Sequence, residues 1–219
     1  MNKFFDWLKK DKIEAVVIFL ILVVAAILRL YKIDQYMTFL GDEGRDALVV
    51  KALITKLDPI LIGPTTSIGN MYLGPIYYYM MAPFLAVSQL NPVGPVIMVA
   101  LIGIATVFLI YFFGRQWFGK VAGLTAAALY AVSPVTIIYS RSSWNPNPAP
   151  FFSAITIYSL YKILAENKFW WLIIGAASLA VALQMHYLAT LLIPTFGIFW
   201  VIGFLKYRKI NLKNYLLWS

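Results

Sequence analysis

Two adjacent acidic residues, Asp42 and Glu43, are the part of this sequence best suited to chemistry. The chain has only nine acidic residues among 219, and this pair lies just after the first long apolar segment. An ionised carboxylate can accept a proton from a hydroxyl group that is attacking an electrophile. We therefore predict Asp42 as a general base and Glu43 as its assistant, binding the acceptor or a divalent cation. Asp42 is also a natural N-cap for the helix that follows, and a capping carboxylate can still accept a proton.

A second polar group lies in the loop around residues 139–148, where Arg141, Trp144, Asn145 and Asn147 follow another apolar segment. The planar guanidinium of Arg141 suits a phosphate, either on a substrate or on lipid headgroups. Trp144 fits a membrane-interface position or a flat surface for a sugar. The two asparagines could bind a sugar or a metal ion, although Asn-Pro pairs also commonly mark the start of a helix.

A third polar group, Gln184 and His186, interrupts the apolar sequence near residue 185. His186 is the only histidine of the chain, so it has a structural interpretation as well as a substrate-binding one. The chain has no cysteine, which excludes disulfides, thiolate metal sites and thiol nucleophiles. The sequence contains no glycine-rich phosphate loop and no histidine cluster with metal-ligand spacing.

The composition places these polar groups in a membrane protein. Hydrophobic residues make up 62% of the chain and charged residues 12%, whereas soluble domains carry about 25% charged residues. The net charge is +9, but the basic residues form short clusters between apolar segments. That pattern is typical of residues that set orientation in a bilayer. We therefore expect the lipid bilayer as a partner and expect no nucleic acid.

Six apolar segments approach the length of about 20 residues that a membrane-spanning helix needs. They are residues 13–30, 93–113, 121–139, 149–164, 169–185 and 188–205. The pattern predicts an all-α, polytopic bundle of about six spanning helices. A seventh apolar segment, 72–90, contains Pro75 and Pro83 and could either span or lie in the interface.

The distribution of positive charge favours the second alternative for residues 72–90. If that segment does not cross and the N-terminus is cytoplasmic, most of the eighteen basic residues fall on the cytoplasmic side, as the positive-inside rule requires. Residues 31–92 then form one long external loop with interfacial helices. Residues 44–57 within it read as a moderately amphipathic helix lying in the interface plane. We also expect Pro134 and Pro194 to kink the segments 121–139 and 188–205.

Several short segments, in order and spacing, resemble the N-terminal part of the C-type (GT-C) membrane glycosyltransferases. That group includes the protein O-mannosyltransferases and the lipid A aminoarabinose transferases. The segments are residues 28–34, 41–44, 73–79, 114–120, 131–134 and 139–141.

The resemblance implies a sugar transferred from a polyprenyl-phosphate donor to an acceptor on the external side of the cell membrane. Asp42 would be the base, and Arg141 would stabilise the leaving phosphate. We expect Arg45, Tyr77 and Tyr78 to contribute to substrate binding. No cofactor is certain, and a divalent cation held by Asp42 and Glu43 is the one to consider.

Two alternatives to the enzyme are a transporter or lipid flippase and a non-catalytic membrane fragment. Transporters place charged residues near the bilayer midplane, whereas the spanning segments here hold essentially none, which favours chemistry at the surface. We predict that residues 1–219 form a single transmembrane domain within a longer protein, because the sequence becomes apolar again at residues 215–218 as it ends.

Overall fold

A computed structural model describes residues 11–206, and these residues form helices joined by loops, with no strand among them. This confirms the all-α prediction. The basic residues before position 11, and both the basic tail and the apolar stretch 215–218 after position 206, lie outside the described residues.

The chain divides into two compact units, and neither is one continuous stretch of sequence. The first comprises the residues up to Pro59 together with Tyr78–Asn147, and the second comprises Ile60–Tyr77 and the residues from Pro148 onward. The helices, in chain order, are α1 (Lys12–Leu30), α2 (Ile33–Tyr36), α3 (Gly41–Lys56), α4 (Ile76–Val87), α5 (Val93–Phe118), α6 (Lys120–Val132), α7 (Pro134–Tyr139), α8 (Ala149–Glu166), α9 (Trp171–Met185), a 3₁₀ helix (Tyr187–Leu191) and α10 (Leu192–Lys206).

The first unit is built on a bundle of α1, α5 and α6, which pack against one another pairwise. Its core contains small side chains beside larger ones, including Ala25, Ala127 and Tyr111. Small residues let the backbones of neighbouring helices approach closely. At Gly123 the approach is extreme, because an added Cβ would lie 2.6 Å from the backbone nitrogen of Arg115.

Two of the described helices, α1 and α5, are long and apolar enough to cross a membrane. The prediction of six such helices is therefore confirmed only in part. The 13 residues of α6 rise about 20 Å at 1.5 Å per residue, against a hydrocarbon core of about 30 Å. The 15-residue α9 is likewise short for a span.

The predicted kink at Pro134 is a complete break, which divides segment 121–139 into α6 and α7. Proline has no backbone N–H, so the carbonyl of Tyr130, four residues earlier, loses its usual helical donor. Ser133 takes an extended conformation at the break. The carbonyls freed here therefore need other donors.

The second unit is organised around the packed pair α8 and α9. Between these helices the hydroxyls of Thr156 and Ser178 form a buried hydrogen bond of 2.8 Å. The α9 helix ends at Met185, and the chain turns through the 3₁₀ helix before α10 begins. The first residues of the predicted helix 188–205 therefore belong to the 3₁₀ helix, and the α-helix begins only at Leu192.

The helices predicted within residues 31–92 are present, with shifted ends. The α3 helix begins three residues before the predicted start at position 44. Val50 is fully buried, while Lys51 and Lys56 are exposed, so its amphipathic character agrees with the prediction. The α4 helix occupies the middle of the ambiguous segment 72–90 and includes Pro83.

Candidate active site

A cleft of about 520 Å³ opens in the first unit between the start of α3 and the loop after α7. Its lining residues come from these two segments: Thr38, Leu40, Gly41, Asp42 and Glu43 from the first, and Ile138, Tyr139, Ser142 and Trp144 from the second. The cleft therefore brings together three residues that the sequence singled out, Asp42, Glu43 and Trp144.

Asp42 is the exposed carboxylate of this cleft. It is the second residue of α3, and its side chain is 53% exposed. Oδ1 accepts a hydrogen bond of 3.0 Å from Nη1 of Arg45, whereas no donor among the described residues bonds Oδ2. The predicted N-cap role is wrong, because Leu40 occupies the N-cap position and Asp42 lies inside the first turn.

Glu43, by contrast, is buried, with 4% of its surface exposed. Oε2 accepts the backbone N–H of Leu40 at 3.0 Å, and Oε1 accepts the hydroxyl of Ser142 at 2.6 Å. The first bond is half of a capping box, since leucine offers no side-chain acceptor in return. Both carboxylate oxygens are thus engaged, and they tie the start of α3 to the loop across the cleft.

A parallel backbone bridge holds the same two segments together. Thr38 pairs with Ser142, and its N–H donates to the carbonyl of Arg141 at 2.9 Å. The side-chain amide of Asn147 donates to the carbonyl of Ser142 at 3.0 Å. These bonds fix the loop that carries Trp144, so the cleft has two walls joined by backbone and side-chain contacts.

Asp46 completes a chain of charged groups behind Asp42, and it is not among the site residues predicted from the sequence. Arg45 donates from Nε and Nη2 to Oδ1 of Asp46 at 2.9 and 2.8 Å, while Nη1 reaches Asp42. The hydroxyl of Tyr78 also donates to this oxygen, at 3.1 Å. Burial raises the pKa of the Asp46 carboxyl above its usual value, and the Arg45 guanidinium offsets only part of that effect.

The sequence signal for the burial of Asp46 is its position in α3. It lies three residues after Glu43 and four before Val50, so the three share one face of α3. That face is the buried one. The apolar residues of α3 alone do not indicate that a carboxylate in this register is buried.

Arg141 lies outside the cleft lining. Its Nη2 donates to the carbonyl of Tyr31 at 3.0 Å, and its guanidinium lies 5.6 Å from the ring centre of Tyr36. Its Nε is buried without a hydrogen-bond partner among the described residues. Asn145, on the same loop, has a buried side chain, as does Tyr78 behind Asp46. In this structure Arg141 braces the loop against the segment that follows α1.

Arg29, at the end of α1, is a second residue that was not predicted from the sequence. It is fully buried, and no carboxylate from residues 11–206 is bonded to it. Its guanidinium donates to three carbonyls and two hydroxyls: those of Ala25 (3.3 Å), Ala131 (2.9 Å), Tyr130 (3.3 Å), Ser140 (3.2 Å) and Thr136 (3.1 Å).

These acceptors explain why a cation is buried there. The carbonyl of Tyr130 is the one that Pro134 leaves without a helical donor, and that of Ala131 lies beside it. The hydroxyl of Thr136 also donates to the Tyr130 carbonyl, at 2.7 Å, so Arg29 and Thr136 together satisfy the broken helix. Through Ser140, Arg29 also contacts the start of the cleft loop, residues 140–148. In the sequence, an arginine at the end of an apolar segment is typical of a headgroup contact, so its burial was not evident.

The predicted residues Gln184, His186 and Tyr77 belong to the second unit. Oε1 of Gln184 accepts the backbone N–H of Ile76 at 3.3 Å, which caps the start of α4. Nδ1 of His186 accepts the N–H of Leu188 at 3.2 Å, and burial lowers the pKa of this imidazole. Tyr77 is fully buried. In the structure these side chains stabilise turns and the packing of their own unit.

The carboxylates of the cleft do not by themselves form a metal site. Both oxygens of Glu43 are engaged, and one oxygen of Asp42 is paired with Arg45. Among residues 11–206, no group of three or more His, Cys, Asp or Glu side chains could hold a metal ion. A protein-bound cation usually needs more oxygen ligands than the single free Oδ2 of Asp42 supplies.

Comparison with known proteins adds independent information. Two Bacillus subtilis (strain 168) proteins described as candidate mannosyltransferases are similar to this chain. YycA is 24% identical over 141 residues, which is 64% of this chain and 20% of YycA. YkcB is 27% identical over 105 residues, which is 48% of this chain and 15% of YkcB. The chain thus spans about a fifth or less of these relatives, and no solved structure matches it.

A family profile described as dolichyl-phosphate-mannose-protein mannosyltransferase matches residues 73–218. The match includes the cleft loop with Trp144, whereas Asp42 lies before its first residue. It confirms the resemblance to GT-C glycosyltransferases that the sequence indicated. Because the match covers more than half of the chain and α1 and α5 can cross a bilayer, the chain is an integral membrane member of the dolichyl-phosphate-mannose-protein mannosyltransferase family.

Proposed function

We propose that this chain carries the acceptor-activating part of a glycosyltransferase that uses a polyprenyl-phosphate sugar donor on the extracytoplasmic face of the cell membrane. The proposal rests on the hydrogen bonding of Asp42, the exposed carboxylate of the cleft. Its Oδ1 accepts a hydrogen bond from Arg45, which fixes the orientation of the carboxylate. Its Oδ2 accepts none from the described residues. A general base needs such an oriented but available oxygen.

In the proposed reaction, Oδ2 of Asp42 takes the proton of an acceptor hydroxyl. The acceptor oxygen forms a bond to the anomeric carbon of the sugar as the bond between that carbon and the phosphate oxygen breaks. The bonding electron pair leaves with polyprenyl phosphate, and the configuration at the anomeric carbon is inverted. A cation near the leaving oxygen would stabilise its developing charge, and Arg141 is the candidate on this loop.

Glu43 has a different role in this proposal from the one that the sequence suggested. Its buried oxygens are occupied by Leu40 and Ser142, so it is better suited to hold Asp42 in place than to bind the acceptor. Arg45 is also a positioning residue, because its guanidinium is bonded directly to the carboxylate of Asp42. The family membership and the exposed cleft support transfer chemistry over transport.

The test is the Asp42→Asn variant, which keeps the size of the side chain and removes its basicity. In membranes containing the complete protein, transfer from a labelled polyprenyl-phosphate mannose should fall by about 10²-fold or more, the usual contribution of a general base. Asp34→Asn is the matched control, because Asp34 is exposed on the same segment and does not line the cleft. Wild-type transfer by a correctly inserted Asp42→Asn protein would refute the proposal.

A further inference from the structure

The lining of the cleft has an unusual charge distribution for an enzyme that handles a phosphate. Asp42 and Glu43 line it, but no lysine or arginine within the described part of the chain does. Phosphate sites in proteins are normally built from cations and free backbone N–H groups. An anionic group entering this cleft would meet two carboxylates in a confined space.

The start of α3 does not supply the positive charge that a phosphate site needs. A helix N-terminus attracts anions through its partial positive charge and its free N–H groups. Here the first turn already carries the carboxylates of Asp42 and Glu43, and the N–H of Leu40 is bonded to Glu43. The positive end of the helix is therefore offset by the protein's own side chains.

Two nearby arginines are bonded to protein groups instead of facing the cleft. Arg45 is bonded to Asp42 and to Asp46, and Arg141 is bonded to the carbonyl of Tyr31 and lies over Tyr36. Neither lines the cleft. Both remain partly exposed at its outside, where a phosphate could reach them without entering.

The rest of the lining suits an uncharged molecule. Leu40, Ile138 and the indole of Trp144 supply apolar surface, and the hydroxyl of Ser142 is used in its bond to Glu43. The volume of about 520 Å³ is within the range of small-molecule sites and has room for a sugar-sized group. The free oxygen of Asp42 is an acceptor, which suits a hydroxyl or an ammonium donor.

We infer that the cleft is an acceptor site that takes an uncharged or amine-bearing hydroxyl compound and excludes acidic ones, with the donor phosphate bound outside it. The identification as an acceptor site rests on the proposed function, but the charge preference rests on the lining alone. The charge preference can therefore be tested without any transfer reaction.

The chain has no cysteine, so a single introduced thiol reports on one position. We would compare Thr38→Cys, inside the cleft, with Thr55→Cys, an exposed position on α3 beside Lys51 and Lys56. Each purified protein is treated with a cationic and an anionic thiosulfonate of similar size. The ratio of cationic to anionic rates should be about tenfold higher at position 38 than at position 55. A ratio that is equal or reversed would overturn the inference.

Protection of the same thiol identifies the class of ligand. Octyl mannoside and its amine-bearing analogue should slow labelling of Thr38→Cys by a neutral maleimide, whereas mannose 1-phosphate and an octyl uronide should not. Protection by the phosphate or the uronide would contradict the inference. Leu40→Cys, on an exposed lining residue, is the second reporter if the substitution at position 38 impairs folding.

The two proposals fail in different ways. If the charge ratio and the protection pattern hold while Asp42→Asn keeps its transfer activity, the cleft binds neutral ligands but Asp42 is not the base. If Asp42→Asn abolishes transfer while phosphate protects the thiol, the base is correct and the inference about the cleft is wrong.

Discussion

Nε of Arg29 donates to the hydroxyl of Ser140 across 3.2 Å, linking the end of the first helix to the start of the cleft loop. The other four donors of the same guanidinium bond acceptors on α1 and around the break at Pro134. The buried cation and the hydroxyl of Thr136 thus together replace the missing helical N–H, and the cation also fixes the loop that forms one wall of the cleft.

Replacing Arg29 with methionine should destabilise the protein by about 3 kcal/mol, because buried carbonyls and hydroxyls lose their donors. Thermal unfolding in detergent would measure the loss. Lys51→Met is the matched control, since Lys51 is exposed on α3, and its effect should stay within about 0.5 kcal/mol. Equal melting temperatures for the Arg29 variant and the control would show that the buried hydrogen bonds contribute little.

The bond between Ser142 and Glu43 should be worth about 2 kcal/mol, because it satisfies a buried carboxylate. Ser142→Ala should lower the melting temperature, and combining it with Glu43→Gln should cost less than the sum of the two single changes. The exposed Ser67 provides the control variant Ser67→Ala. Strict additivity of the two changes would mean that the side chains are not energetically coupled.

Asp46 predicts a pH dependence of stability with a defined sign. Burial raises the pKa of its carboxyl in the folded protein, so the folded state holds this proton to higher pH than the unfolded chain does. The stability that this proton contributes is present below the unfolded pKa and is lost as pH rises through the folded pKa. Above the usual pKa of an aspartate, about 3.9, wild type should therefore lose stability relative to Asp46→Asn.

Melting temperatures of the two proteins at intervals between pH 4 and pH 8 would check this. The comparison is between slopes, so a constant offset caused by the substitution does not affect it. A gap that widens in favour of wild type as pH rises would mean that Asp46 is held ionised by Arg45 and Tyr78.

Gly123→Ala should destabilise the α5–α6 contact by about 1–3 kcal/mol, because the added Cβ would lie 2.6 Å from backbone atoms of Tyr111 and Arg115. Gly197→Ala provides a control of opposite sign, since nothing lies within 4 Å of an added Cβ at that helical position. It should stabilise α10 by up to about 1 kcal/mol. Similar melting temperatures for both variants would contradict the close approach of α5 and α6.

Most helices could be predicted from sequence because a long apolar segment has few alternatives in a membrane protein. The start of α5 and the break at Pro134 follow from local chemistry. The start of α3 was misjudged, because Asp42 is a better N-cap by type than Leu40. The N-cap position is determined instead by the hydrogen bonds of Glu43 to Leu40 and to Ser142, which is distant in sequence.

Part of the candidate site could also be predicted from the sequence, because its polar residues stand out beside apolar segments. Asp42, Glu43 and Trp144 were identifiable as polar or aromatic residues beside apolar segments. Arg29 and Asp46 were not, because their burial depends on which way each helix is rotated and on partners from distant segments. A sequence read one segment at a time does not specify that rotation.

Gly74 and Gln184 show how such a distant pairing restricts change. A Cβ at position 74 would overlap the side-chain amide of Gln184, and that amide caps the first turn of α4. A larger residue at position 74 would require the side chain at position 184 to move away or to be shorter. Either change would leave the N–H of Ile76 in need of a new acceptor. The residue types that these two sites can accept during evolution are therefore coupled.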